Sequence, residues 1–152
     1  MKVLLPIDDS KFSEAAAQAL AKQFRPQETE VRVLHVIEPI LISVPPQMSV
    51  GYAPELSELR QEQLNKAEAL VTQIAQTLRA AGFQVATSVE EGNPKTRILD
   101  CAAEWHAELI VLGSHGRKGL KRFLLGSVLE AVARHAPCSI EIVRLESHRR
   151  AA

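Results

Sequence analysis

Apolar residues fall along this chain in two alternating rhythms. Short runs bounded by turn residues stand at Val3–Ile7, Val31–Ile37 and Leu109–Leu112, and β-type runs at Phe83–Val89 and Ser139–Leu145. Continuous apolar runs of this length read as strands covered on both faces. Between them the spacing turns helical. Phe12, Ala15, Ala16, Ala19 and Leu20 share one side of a first helix, capped by Asp9 or Ser10. From about Pro54 to Ala81 a second helix carries Leu56, Leu64, Val71, Ile74 and Leu78, and Gly82 ends it. Asn93 followed by Pro94 starts a third helix that runs through Ile98 and Trp105. Ser127–His135 lies in a fourth.

Strands alternating with helices predict an α/β fold, a parallel sheet with right-handed crossovers and helices on both faces. At 152 residues the chain suits one domain with a full core. Residues 1–145 are read as that domain and 146–152 as a frayed tail. One stretch breaks the scheme. Glu38–Ala53 holds Pro39, Pro45, Pro46 and Gly51, yet also Ile42, Val44, Met48 and Tyr52. It reads either as a lid or partner surface, or as a loop folded over the sheet edge.

Composition narrows the class. Hydrophobic content of 46% and charged content of 24% fit a soluble globular protein. Eighteen basic residues balance 18 acidic ones, which argues against general nucleic-acid or polybasic membrane binding. The N-terminal apolar run is too short for a secretory leader, and no run of about 18 apolar residues could span a membrane. Cys101 and Cys138 lack metal spacing and read as buried thiols in a reducing cytoplasm.

Chemistry concentrates after the fourth strand. The chain there reads Gly113-Ser-His-Gly116, nine residues, then Gly126-Ser127. Glycines let a ligand approach the main chain, and the N–H groups and dipole of a helix start attract an anion. From Leu109 to Leu129 there is no Asp or Glu, while Arg117, Lys118, Lys121 and Arg122 crowd the segment. A local positive field of this kind concentrates an anionic ligand, so the stretch points to phosphate. The Walker string Gly-x4-Gly-Lys-Ser/Thr does not occur, and the glycine spacing does not fit a dinucleotide fingerprint. His115 has no nearby acid to orient it for catalysis and reads as a polar loop histidine beside phosphate. His35, inside a strand run, reads as structural.

The arrangement Gly-x2-Gly-x9-Gly-Ser resembles the universal stress protein family, in its ATP-binding subclass. Further segments carry the likeness over nearly the whole chain: Pro6-Ile7-Asp8-Asp9-Ser10, Leu34-His35-Val36-Ile37, Asn93-Pro94 and Ala136-Pro137-Cys138-Ser139. The resemblance implies a Rossmann-like open sheet of order 3-2-1-4-5, with nucleotide across the ends of strands one and four. Ligands of open α/β sheets sit where the strand order reverses, which is that place. It also implies roles. Gly113, Gly116, Gly126 and Ser127 would hold ribose and phosphates, and Val128 would add a main-chain donor. Asp8 would lie near base and ribose, and Val36 would line the adenine pocket.

The expected function is an ATP-binding stress-response regulator whose nucleotide occupancy serves as a signal. One alternative is a slow ATPase or nucleotide-handling enzyme, in which Asp8 and Asp9 could hold Mg²⁺. A dedicated base is not evident, so no catalytic residue is assigned. Another alternative is a ligand-free interaction module. The resemblance implies a homodimer through strand five, residues 139–145, which is compatible with ATP binding. Nucleic acid and membrane are not expected partners.

Overall fold

Alternation along the strands decides which side chains meet. Leu4 and Leu5 are both fully buried, but they point into different cores, because successive strand residues face opposite sides of a sheet. The computed structural model describes residues 1–40, 53–116 and 126–145. Its elements are β1 (Lys2–Pro6), α1 (Lys11–Gln23), a 3₁₀ turn (Pro26–Glu28), β2 (Glu30–Ile37), α2 (Ala53–Ala80), β3 (Gln84–Glu91), α3 (Pro94–Glu104), β4 (Leu109–Gly113), α4 (Ser127–His135) and β5 (Ser139–Val143). The five strands form one parallel sheet of order β3-β2-β1-β4-β5, as expected.

Helices α1 and α2 cover one face. Ala16 and Leu20 from α1, with Val71 and Leu78 from α2, pack there on Val3, Leu5, Val31 and Val33. Helices α3 and α4 cover the other face, where Ile98, Trp105 and Val132 meet Leu4, Leu34 and Ile110. A fully buried aliphatic side chain contributes about 1.5–3 kcal/mol, so the two layers hold the sheet from both sides.

The element ends follow local chemistry. Ser10, not Asp9, is the N-cap of α1, its Oγ accepting from the Ser13 N–H. Gly82 closes α2 at φ +94°, with its N–H on the Arg79 carbonyl and the Phe83 N–H on the Leu78 carbonyl, the paired bonds of a Schellman motif. Asn93 caps α3 by accepting from the Lys95 N–H at 2.9 Å. Asn93→Ala is expected to cost about 1 kcal/mol, read as a lower urea midpoint at unchanged slope.

Several ends differ from the sequence expectation. β3 runs to Glu91 rather than Val89: Glu90 and Glu91 stay in register with Val36 and Ile37 on an outer strand open to water. β5 stops at Val143, and the 3₁₀ turn was not expected. Cys101 is buried as read, but Cys138 is only partly buried, and both are free thiols. Burial pushes both thiols above their ordinary titration range, which keeps them neutral at pH 7. Most of the apolar stretch 38–53, the four basic residues after Gly116, and the tail lie outside the described residues. No described helix is long and apolar enough to cross a membrane.

One feature of the register opens the site. β1 pairs with β4 only at Val3↔Leu109 and Leu4↔Ile110, whereas β1 stays with β2 to Pro6↔Leu34 and β4 with β5 to Gly113↔Val143. β1 leads into α1 on one face and β4 leads towards α4 on the other, so the two strands part. The gap lies at their carboxyl ends, at the reversal of strand order.

Candidate functional site

Above that gap is a cavity of about 890 Å³, within the span of about 300–1,000 Å³ common for small-molecule sites. Asp8, Val36, Gly113, Gly116, Gly126, Ser127 and Val128 all line it. The residues singled out from sequence, spread over more than half the chain, thus meet around one space.

The turn after β1 holds Asp8 firmly. Its Oδ1 accepts from the Ser10 N–H and the Ser13 hydroxyl, both at 2.9 Å, and its own N–H donates to Ser13 Oγ at 2.8 Å. Ser13 is buried and Asp8 half-buried, so this clamp is partly shielded from competing water. Asp8 therefore braces the start of α1, although Ser10 supplies the cap. Its Oδ2 faces the glycine loop: a Cβ on Gly116 would lie 3.0 Å from it. Ser13 carries no motif signal of its own and was not singled out from the sequence.

The three loop glycines differ in what they do. A Cβ on Gly113 would meet Phe12 Cβ and the Phe12 carbonyl oxygen at 2.7 Å. Gly113 is therefore required by the packing of α1 against β4, which spacing alone did not suggest. Gly126 has φ −58° and ψ 149°, open to any residue, and a Cβ added there would lie 3.8 Å from Gly116 N and 3.9 Å from His115 Cα, its nearest neighbours among the described residues. Gly116 and Gly126 thus face each other across a narrow gap. The His115 ring sits 5.0 Å from the Phe12 ring, and its Nδ1 lies 3.0 Å from Ser114 Oγ. Its Nε2 is buried and has no partner among the described residues.

Gly126 is the N-cap of α4, and no side chain among the described residues caps the helix. Ser127 is the first helical residue and is exposed. The first intrahelical bond is from the Glu130 N–H to the Gly126 carbonyl, so the N–H groups of residues 127–129 precede the helical ladder. Such a helix start favours an anion.

The remaining walls were not read from the sequence as part of the site. α2 has 28 residues, about 42 Å at 1.5 Å per residue, far longer than any strand beneath it. Its Gln63, Lys66, Leu70 and Gln73 form one wall, and Pro94 and Ile98 of α3 form part of another. Helix length was visible in the periodicity, but its passage over the strand ends was not. Asp8, Asp9 and Glu38 outnumber Lys66 among the charged described lining residues. No cluster of three or more His, Cys, Asp or Glu suited to a metal occurs among the described residues.

A parallel α/β sheet with a ligand-sized cavity at its switch point defines a broad class of ligand-binding folds. The match is narrower than that: the universal stress protein family model covers residues 1–144. The chain belongs to that family. It is 32% identical over 145 residues to the universal stress protein YxiE of Bacillus subtilis, covering 94% of this chain and 98% of that one. The structure of universal stress protein UspA from Lactobacillus plantarum superposes with a TM-score of 0.81 at 27% identity, covering 95% of this chain and 97% of the other. A family protein from Arabidopsis thaliana with AMP bound shares the fold, with a TM-score of 0.70 at 17% identity and coverage of 97% and 93%.

Proposed function

We propose that the protein binds ATP in this cavity and acts as a stress-response regulator through occupancy rather than turnover. The observation that carries the reading is the glycine-capped start of α4 beside the facing pair Gly116 and Gly126, across from the clamped Asp8. Phosphates would lie on the main chain at Gly113, Gly116, Gly126, Ser127 and Val128, with the Ser127 hydroxyl adding a donor. Asp8 would accept from ribose, and Val36 would line the adenine pocket. The AMP-bound relative of the same fold supports an adenine nucleotide as the ligand class.

The acidic described lining fits a nucleotide that brings its own cation. Mg²⁺ is usually held by one or two carboxylates together with phosphates, and Asp8 and Asp9 are the residues placed to supply them. Their part would be to orient the phosphate chain. Free thiols at Cys101 and Cys138 suit a reducing cytoplasm. A homodimer through β5 completes the proposal, supported by the place of β5 at the outer edge of the sheet, with Ile142 37% exposed. Light scattering should give twice the chain mass, and a monomer would remove the pairing.

The reading is tested by equilibrium dialysis against ATP, followed by analysis of the bound nucleotide. Intact ATP retained at micromolar concentration is expected. Release of ADP at about 1 s⁻¹ or faster would replace occupancy by enzymatic turnover. Asp8→Asn preserves an oxygen for the Ser10 and Ser13 donors but removes the charge. Affinity for ATP should fall about tenfold, the size of one charge-assisted hydrogen bond. An unchanged affinity would remove Asp8 from the ligand.

A further inference from the structure

The end of β1 is held from the side by a ring. Main-chain pairing between β1 and β2 is extended one step past Pro6↔Leu34 by the Ile7 N–H, which donates to the Leu34 carbonyl at 2.8 Å. The Ile7 carbonyl, directly before Asp8, lies 2.8 Å from His35 Nδ1. A carbonyl only accepts, so Nδ1 must carry the hydrogen. His35 is half-buried and lines the cavity.

We propose that His35 is a positioning residue for the nucleotide site: its Nδ1–H fixes the Ile7 carbonyl and thereby sets the Asp8 carboxylate opposite Gly116. Ile7 and Asp8 share one peptide unit. That unit is gripped at its oxygen by His35 and at its nitrogen by Ser13 Oγ. Peptide planarity makes the two grips act on one rigid group. Releasing the oxygen lets the plane rotate, which moves the Asp8 N–H off Ser13 and loosens the carboxylate. His35 thus acts through Asp8, without needing to touch ligand itself.

The inference rests on the nucleotide reading, and its test separates the two. Asn places its Nδ2 where imidazole has Nδ1, so His35→Asn can keep the donor, whereas His35→Leu cannot. His35→Leu should weaken ATP binding about tenfold, and His35→Asn should recover most of the loss. In an Asp8→Asn background, His35→Leu should add less than about twofold, because coupled residues depart from additivity. Losses that multiply, or an Asn variant no better than Leu, would overturn the proposal. Amide hydrogen exchange without ligand is the second readout. His35→Leu should speed exchange at Asp8 and Ser10, the two N–H groups held in the clamp, and His35→Asn should not. Wild-type protein that binds no ATP would defeat the nucleotide reading alone; the exchange result then decides the brace, and unchanged exchange at Asp8 and Ser10 would overturn it.

Discussion

Gly113→Ala is expected to lower the melting temperature by about 6–12 °C. The new Cβ would lie 2.7 Å from Phe12 Cβ and from the Phe12 carbonyl oxygen, and 2.8 Å from the carbonyl carbon. Two of those atoms belong to the backbone of the first turn of α1, so no rotamer change relieves the overlap. α1 must shift away from β4, and Ala16 and Leu20 on the same helix shift with it, out of the core they share with Val111. Overpacking costs about 1–3 kcal/mol, and a backbone contact belongs at the upper end. For a chain of this length each kcal/mol moves the melting temperature by about 2–4 °C. A melting temperature within about 2 °C of wild type would show that α1 packs less closely than the structure has it. Any loss of ligand in a Gly113 variant would therefore be ambiguous between the site and the fold.

Gly126→Val should behave in the opposite way. The position has φ −58° and ψ 149°, and among the described residues beyond its chain neighbours no atom lies closer than 3.8 Å to the added Cβ. Lost cap preference and reduced freedom of the unfolded chain oppose one another, so stability should stay within about 1 kcal/mol. The added side chain would, however, crowd the gap in front of the Gly116 N–H at the start of α4, where phosphate is proposed to lie. Losing one or two charge-assisted hydrogen bonds, each about 1.5–3 kcal/mol, should weaken ATP about 100-fold. Circular dichroism and a melt would confirm the fold, and a fluorescent ATP analogue would report the affinity. Retained affinity would move the phosphates away from this gap.

Much of this architecture was legible in the order of residues. The run Leu109–Leu112 emptying into Gly113 marks a buried strand before a turn, and the Asn93-Pro94 and Gly82 signals mark helix ends that the structure keeps. These signals are local, carried by backbone preference and side-chain period. Strand order came from the family resemblance rather than from pattern. What stayed hidden depends on contacts between residues far apart in sequence. Phe12 and Gly113 carry no mutual mark, yet their contact decides why the glycine is there. The Ser13 hydroxyl looks like any helix-start serine until Asp8 folds onto it. His35 looked structural, and its bond to the Ile7 carbonyl fits that reading while tying it to the cavity rim. Strand ends at β3 and β5 moved by two residues because pairing with a neighbour, not hydropathy, sets where a strand stops.

Whether the cavity at the strand-order reversal holds ATP is decided by isothermal titration of the protein with ATP, with and without Mg²⁺, beside Gly126→Val. A micromolar Kd is expected for the wild type, a binding free energy of about −8 kcal/mol, with binding lost in a folded Gly126→Val protein. No heat of binding in the wild type up to millimolar ATP, or equal affinity in both proteins, would contradict it.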